Sequence, residues 1–309
     1  MPLTTTTPKP MLRIAGSPVT EHQIIKAREA GIREIVLATS YLAEVFEPYF
    51  GDGSDFGIRI KYSIEHEPLG TGGAIAHAAQ QLNLAPEESL FVFNGDVISA
   101  HDLTEQNEIH QRTGAQATLH LVEVEDARAY GCVPLDDDGR VQQFLEKMDN
   151  PIAKTINAGC YILTSNVVAA IKPGEVVSVE RETFPKLLES GARVTGFVDS
   201  QYWIDMGTPQ SLIQASRDLI LVPGRTSLRT GATNGSLIST GAKVDPTARI
   251  GEGSCIEDGA VIGAGAIISG SIISAGAKID AGVVIIDSFI APDTRVISGS
   301  SLNNVIFGY

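Results

Sequence analysis

The residues Asn94-Gly-Asp96 could form part of a metal site. They follow a short apolar run, Leu90 to Phe93, which is typical of a strand buried on both faces of a parallel sheet. Ligands of open α/β sheets bind beyond the carboxyl ends of the strands, where a carboxylate beside a glycine suits a hard cation such as Mg²⁺. Asn, Gly and Asp are also the commonest turn residues, so an ordinary turn in which Asp96 caps a helix is the alternative.

A second carboxylate and one lysine have comparable settings. Asp205 lies just ahead of a predicted turn at Gly207, and the following Thr208-Pro209 predicts the start of a helix. Lys9 lies between two prolines in a Thr- and Pro-rich segment, so its backbone is stiff and its ammonium group has a defined direction. A capping aspartate and a solvated lysine are the structural alternatives.

Three glycines in four residues occur in the segment Leu69-Gly-Thr-Gly-Gly73, which we call the glycine turn. An Ala-rich helix is predicted to follow it, over 74–82. Glycines at a helix N-terminus can offer exposed N–H groups and a close backbone approach to an anionic or planar ligand. The spacing matches neither the dinucleotide-binding fingerprint nor the lysine-bearing P-loop, so a tight turn without a ligand is the alternative.

Bulk properties narrow the class of protein. A chain of 309 residues is long enough for two domains, and a net charge of -14 argues against a sequence-independent nucleic-acid binder. Three widely spaced cysteines, Cys132, Cys160 and Cys255, fit neither a disulfide framework nor a zinc site. Because no apolar run reaches membrane-spanning length and no signal-peptide core is found, we predict a cytoplasmic protein without a membrane partner.

The order of predicted elements indicates a two-part architecture. Strands and helices alternate up to about residue 124, which is typical of a doubly wound α/β domain, and a further helix is predicted over 179–189. Prolines and glycines then mark a linker. We therefore predict a first domain over residues 1–221, a linker over 222–235 and a second domain over 236–309.

Aliphatic residues recur every six positions in the last part of the chain, with one five-residue step at each of two joins. Six residues turn an α-helix by about 600°, so this period cannot form one helix face. It instead predicts a triangular parallel β-coil of about 18 residues per turn, with about four turns in this segment. The aliphatic residues predicted to point inward are Ile238, Val244, Ile250, Ile256, Ile262, Ile268, Ile273, Ile279, Ile285, Ile290, Val296 and Leu302.

Six motifs occur in order along the chain. They are Leu3-Thr-Thr-Thr-Thr-Pro-Lys-Pro-Met-Leu12, Pro68-Leu-Gly-Thr-Gly-Gly73, Phe93-Asn-Gly-Asp-Val97, Phe144-Leu-Glu-Lys147, Asn157-Ala-Gly159 and Trp203-Ile-Asp-Met-Gly-Thr-Pro209. With these motifs the chain resembles the sugar-phosphate nucleotidylyltransferases, and most closely the bacterial mannose-1-phosphate guanylyltransferases. The segment Val177 to Pro185 is similar to the guanylyl branch rather than to the thymidylyl or adenylyl branches.

The resemblance implies a Rossmann-like doubly wound nucleotidyltransferase domain, truncated at its N-terminus and followed by a left-handed parallel β-helix of hexapeptide repeats. It also implies an enzyme that uses an NTP, a sugar 1-phosphate and Mg²⁺, and that forms a homo-oligomer. The implied catalytic residues are Lys9, Asp96, Lys147 and Asp205. The implied binding residues are Leu69, Gly70, Thr71 and Gly72 for the base, Lys9 and Asp96 for the nucleotide phosphates, Asp96 and Asp205 for Mg²⁺, and Tyr130, Gly131, Glu146, Lys147, Asn157 and Gly159 for the sugar phosphate.

One departure from the family pattern concerns the N-terminus. The family opens with a strand and a glycine-rich loop ahead of the segment that here begins at Leu3. We expect the printed chain to show little turnover and an N-terminally completed version to be active with Mg²⁺.

Other functions remain as alternatives to guanylyl transfer onto mannose 1-phosphate. They are a non-catalytic subunit that binds nucleotide sugars, and thymidylyl, uridylyl or adenylyl transfer onto glucose 1-phosphate. An acyltransferase is disfavoured, because those enzymes use a histidine in or near the coil and all six histidines here precede it.

Overall fold

The structure is a computed structural model that describes residues 2–5, 7–39, 42–65, 67–145, 149–228 and 230–308. The chain divides into two compact units. The first unit contains residues 1–26, 98–100 and 204–309, and the second contains 27–97 and 101–203. No helix within the described ranges is both long and apolar enough to cross a membrane.

The helices and strands are mostly short. The α-helices are Val19–Glu29, Glu47–Phe50, Gly70–Ala79, Leu103–Thr113, Ser165–Ala169, Phe184–Glu189 and Pro209–Leu221. The 3₁₀ turns are Pro2–Thr4, Lys9–Met11, Ala43–Val45 and Ser54–Phe56. The strands before the C-terminal region are Arg13–Ile14, Ser17–Pro18, Glu34–Thr39, Arg59–Ile64, Ser89–Phe93, Val97–Ser99, Ala117–Glu123, Thr155–Thr164, Val194–Asp199 and Trp203–Asp205.

A four-stranded sheet forms the core of the second unit. Thr155–Thr164 lies between Ser89–Phe93 and Ala117–Glu123 and is antiparallel to both, while Val194–Asp199 runs parallel to Ala117–Glu123. Consecutive residues of the inner strands, such as Cys160 to Leu163, are buried, as expected where both faces of a sheet are covered. A separate parallel pair joins Glu34–Thr39 to Arg59–Ile64.

The prediction for the apolar run Leu90 to Phe93 is wrong in two respects. The strand Ser89–Phe93 is antiparallel to its neighbour, and its apolar side chains are only half-buried. Among the described strands it pairs on one edge only, so its apolar residues are less enclosed than those of an inner strand.

Local signals explain where the functional segments begin and end. The helix Leu103–Thr113 starts at Asp102, whose carboxylate accepts hydrogen bonds from the N–H groups of Thr104 (2.7 Å) and Glu105 (3.3 Å), and it ends at Gly114 in a left-handed conformation. Because Asp102 caps this helix, Asp96 does not.

The predicted helix over 179–189 is divided. Residues Val179–Thr183 form a π-helical turn, in which the Phe184 N–H bonds to the Val179 carbonyl, and an α-helix follows over Phe184–Glu189. Pro185 has no N–H to offer the carbonyl of Arg181, so a regular α-helical ladder cannot run through this point.

The glycine turn packs against the chain at 175–177 by backbone contacts. The N–H groups of Gly72 and Gly73 bond to the Val177 carbonyl at 2.8 and 3.4 Å, and the Val177 N–H bonds to the Leu69 carbonyl at 2.9 Å. The helix starts at Gly70 rather than at residue 74. The glycines therefore allow two backbones to approach, and the donors of Gly72 and Gly73 are already used by the protein.

The C-terminal region of the first unit contains three parallel sheets of five, four and four strands. The strands are Leu237–Ile238, Lys243–Val244, Arg249–Ile250, Cys255–Ile256, Val261–Ile262, Ile267–Ser269, Ile272–Ile273, Lys278–Ile279, Val284–Ile286, Phe289–Ile290, Arg295–Val296, Ser301–Asn303 and Ile306–Phe307. Leu237 pairs with Cys255, which pairs with Ile272, so neighbouring strands lie 18 and then 17 residues apart. This arrangement is compatible with the predicted β-coil.

The six-residue period correctly identifies the buried residues in the middle of this region. The aliphatic residues from Ile256 to Val296 at that spacing are at most 2% exposed and form one cluster. Ile238 is 43% exposed, against expectation, because it belongs to the first strand of its sheet and, among the described strands, has a neighbour on one side only.

A buried carboxylate joins the N-terminal segment to the C-terminal sheets within the first unit. Glu257 accepts a hydrogen bond from Arg13 at 3.2 Å and one from the Ala275 N–H at 3.1 Å, and its side chain is 6% exposed. Burial raises the pKa of Glu257 above its ordinary value of 4.5, although the nearby Arg13 charge opposes that rise. All three cysteines are buried, and no disulfide forms among the described residues.

We predict that raising the pH from 4 to 8 changes the free energy of unfolding more favourably in the Glu257→Gln variant than in the wild type. A folded-state pKa above the unfolded value means that the stabilising contribution is complete below pH 4.5 and is lost as the pH rises through the folded pKa. The amide removes that loss. Denaturant unfolding across this pH range measures the effect, and Asp258→Asn, at the exposed neighbouring position, is the control. A pH dependence identical to that of the wild type would contradict the prediction.

We also predict that Gly70→Ala destabilises the chain by about 1–3 kcal/mol more than Gly174→Ala does. Both glycines have a positive φ, +71° and +78°, so both substitutions strain the backbone. Only at Gly70 would the new Cβ lie 2.6 Å from a backbone oxygen, that of Val177, whereas nothing lies within 4 Å at Gly174. Equal losses in thermal or urea unfolding would show that the close approach is not required.

Candidate functional site

The turn Asn94–Asp96 is held against the segment Asn157–Gly159. The Asn94 N–H donates to the Gly159 carbonyl at 2.7 Å. Gly159 has a φ of +77°, and a Cβ there would lie 3.0 Å from the Asn94 Nδ2. Two of the motifs found in the sequence are therefore in direct contact, and the positive φ of Gly159 favours a glycine at this point.

A bulge aims the side chain of Asn157. Leu119 pairs with Tyr161 and Leu121 with Asn157, so two residue steps on one strand span four on the other. Such bulges bend a strand and redirect its side chains, and they are frequent beside active sites. Here the Asn157 Oδ1 accepts from the Gly159 N–H at 3.1 Å, and its Nδ2 donates to the Tyr161 hydroxyl at 2.8 Å.

Tyr130 lies close to the same segment by way of Trp203. The Trp203 Nε1 donates to the Ala158 carbonyl at 2.9 Å, and the rings of Tyr130 and Trp203 meet edge to face with centroids 5.8 Å apart. Gly131 is half-buried and precedes Cys132, whose carbonyl accepts from the Leu145 N–H at 3.0 Å. Glu146 and Lys147, which directly follow Leu145, lie outside the described residues.

Thr71 connects the glycine turn to the π-helical turn. Its Oγ1 donates to the Glu180 Oε2 at 2.8 Å and accepts from the Val179 N–H at 2.9 Å. The Glu180 carboxylate also accepts from the Ser178 hydroxyl at 3.1 Å and from the Tyr161 hydroxyl at 3.3 Å. The glycine turn and Asn157 are thus joined by hydrogen bonds through one carboxylate.

Tyr161 and Glu180 are the residues that sequence reasoning missed. Tyr161 belongs to a buried strand, and Glu180 lies in the segment Val177 to Pro185, whose sequence is similar to one family branch and indicates no role for a single residue. Burial, with a smaller contribution from the Glu180 charge, raises the pKa of the Tyr161 hydroxyl. The phenol therefore keeps its proton and can donate it to Glu180.

Lys9 and Asp205 belong to the first unit. Lys9 begins a 3₁₀ turn after Pro8, where the sequence predicts no regular structure, and its side chain is half-buried. Asp205 ends the strand Trp203–Asp205 and is also half-buried. The helix after it starts as predicted, with Thr208 as the cap.

The carboxylates of Asp96 and Asp205 are each of a kind that binds a hard cation. No group of three or more His, Cys, Asp or Glu side chains forms a metal cage within the described part of the chain. Mg²⁺ is usually bound through one or two carboxylates together with waters and substrate phosphates, so Asp96 and Asp205 are chemically suitable without such a cage. The assignment of this pair to Mg²⁺ stays a prediction, as do the other binding roles.

Comparison with known proteins identifies the family. The family model "Nucleotidyl transferase" matches residues 1–220. The chain is 46% identical over 248 residues to the mannose-1-phosphate guanylyltransferase of Mycobacterium tuberculosis, a match that covers 80% of this chain and 68% of that protein. It is 37% identical over 254 residues to mannose-1-phosphate guanylyltransferase 1 of Arabidopsis thaliana, with 82% and 70% covered.

A solved structure agrees with these matches. HddC from Yersinia pseudotuberculosis in complex with GMP-PN superposes with a TM-score of 0.58 at 28% identity, over 69% of this chain and 90% of that one. The sequence prediction of a Rossmann-like nucleotidyltransferase domain is therefore confirmed. The chain belongs to the nucleotidyl transferase family.

Proposed function

We propose that the chain transfers a guanylyl group from GTP to mannose 1-phosphate and releases pyrophosphate. The observation that carries this proposal is the direct contact of Asn94–Asp96 with Asn157–Gly159, in the same unit as the glycine turn. The 46% identity to a mannose-1-phosphate guanylyltransferase supports the choice of guanine and mannose.

The reaction joins an oxygen of the sugar phosphate to the α-phosphorus of GTP and breaks the bond from that phosphorus to the bridging oxygen of the leaving pyrophosphate. The attacking oxygen is already anionic, so no side chain has to remove a proton. The protein has to align the two phosphates and neutralise their charge. Bound Mg²⁺ would supply part of that neutralisation.

Each part of the substrates and the metal is assigned to a group of residues. We assign the base to Leu69, Gly70, Thr71 and Gly72, the nucleotide phosphates to Lys9, and the metal to Asp96 and Asp205. We assign the sugar phosphate to Tyr130, Gly131, Glu146, Lys147, Asn157 and Gly159. Because the Gly72 N–H is bonded to Val177, Gly72 would contact the base by close approach rather than as a backbone donor.

We further propose that the C-terminal parallel sheets form a left-handed β-helix of hexapeptide repeats in a domain over 236–309, preceded by a linker over 222–235. The 18- and 17-residue offsets between paired strands support this, because three sides of about six residues complete one turn. Stacking of like coils would make the chain a homo-oligomer, and the molar mass from light scattering tests this.

The activity is tested by pyrophosphate release from GTP with mannose 1-phosphate. The printed chain is compared with a version extended by the family's opening strand and glycine-rich loop, and we expect release by the extended version. ATP, UTP or dTTP with glucose 1-phosphate form the specificity controls. Faster turnover with one of those pairs would overturn the choice of substrates, and tight GDP-mannose binding without turnover in either version would favour a regulatory subunit.

We predict that Asp96→Asn lowers kcat/KM for GTP by a factor that corresponds to about 3 kcal/mol or more. The amide keeps the shape of the side chain but loses the charge that would hold a cation. Asp137→Asn, at an exposed position, is the control and should leave kcat/KM unchanged. Titration with Mg²⁺ separates weaker metal binding from misfolding. Near-normal activity and an unchanged Mg²⁺ requirement would remove Asp96 from the metal site.

A further inference from the structure

We propose that Glu180 is a positioning residue that couples the nucleotide side of the site to the sugar-phosphate side. The inference rests on the proposed function for the meaning of the two sides. It rests on the structure for the coupling, since Glu180 touches Thr71 of the glycine turn and Tyr161, which in turn holds Asn157.

Three hydroxyl groups converge on the Glu180 carboxylate. Oε2 accepts from Thr71 and Ser178, and Oε1 accepts from Tyr161. An ionised carboxylate only accepts hydrogen bonds and has about four acceptor positions, so it can satisfy all three donors at once. No neutral side chain of similar size can do so.

The carboxylate sets the direction of the hydrogen bonds that lead to Asn157. Tyr161 is 1% exposed and has one hydroxyl proton, which it donates to Glu180. Its oxygen must then accept from Asn157, which fixes the amide with Nδ2 towards Tyr161 and Oδ1 towards the Gly159 N–H. Glu180 and the Gly159 N–H thus act together to fix which atoms of Asn157 remain available to a sugar phosphate.

The same carboxylate orders the nucleotide side. The Val179 N–H donates to the Thr71 Oγ1, and that hydroxyl donates onward to Glu180. Both series of hydrogen bonds end at the Glu180 carboxylate, which can only accept. A change in the orientation of the donors in one series therefore alters the acceptor that the other series uses, and this shared acceptor couples the two sides.

The test begins with Glu180→Gln, made in the N-terminally extended version for which turnover is expected. An amide has one acceptor oxygen, so it cannot satisfy all three hydroxyl donors. At least one of the two series of hydrogen bonds, through Thr71 or through Tyr161, therefore loses its acceptor. We expect KM for GTP and KM for mannose 1-phosphate both to rise, by about threefold or more, with a smaller change in kcat. Glu189→Gln, the same change at an exposed position on the next helix, should alter neither constant.

A double-mutant cycle distinguishes coupling from two separate effects. Thr71→Val should raise mainly KM for GTP, and Tyr161→Phe mainly KM for mannose 1-phosphate. Their combined effect on kcat/KM should differ from the product of the single effects by about threefold or more, and this excess should vanish in the Glu180→Gln background. Multiplicative effects in the wild-type background would overturn the proposal.

Stability provides a readout that needs no substrate. The same cycle on the thermal midpoint should be non-additive by about 2 °C or more, and additive once Glu180 is replaced. Additive changes in the midpoint would show that Glu180 does not connect Thr71 to Tyr161. Midpoint coupling together with unchanged KM values, measured well below the midpoint, would show a purely structural role and also overturn the proposal. Absence of turnover by the N-terminally extended version would instead count against the proposed function, and the midpoint cycle would still decide whether Glu180 connects Thr71 to Tyr161.

Discussion

The antiparallel register between Ser89–Phe93 and Thr155–Thr164 is the constraint on which the candidate site depends. Phe93 pairs with Cys160, so the chain beyond Phe93 emerges beside Gly159. This places Asn94–Asp96 against Asn157–Gly159, and the 2.7 Å hydrogen bond from Asn94 to Gly159 holds them there. A slip of one residue would turn every side chain of the strand to the other face and separate the two motifs.

Near these paired strands, the hydrogen bonds of the polar groups run in one direction, from donors to a shared acceptor. Amide and hydroxyl donors from the glycine turn and from the bulged strand lead to Glu180, which can only accept. The π-helical turn presents this carboxylate, and the turn exists because Pro185 cannot continue an α-helical ladder. The irregular backbone at this turn therefore places one carboxylate where several donors can reach it.

The first unit shows a different balance of forces. Its C-terminal sheets bury a column of aliphatic residues at a six-residue spacing, and this column needs few polar interactions. Glu257 is the exception, a buried carboxylate held by Arg13 and by one backbone donor. Burial raises the pKa of Glu257 and the Arg13 charge opposes that rise, so the cost of desolvating the carboxylate offsets part of what this contact adds to stability.

The sequence by itself determined the family, the α/β class of the first part of the chain, the inward-pointing aliphatic residues of the last part and the motifs that meet at the candidate site. These features depend on local spacing and composition, which a linear chain displays. Only the tertiary structure decided the antiparallel, half-buried state of Ser89–Phe93, the use of the Gly72 and Gly73 donors by Val177, and the convergence of Thr71, Tyr161 and Asn157 through Glu180. Those features depend on pairs of residues far apart in the chain, and the strand register and the donor directions that join them exist only once the sheet has formed.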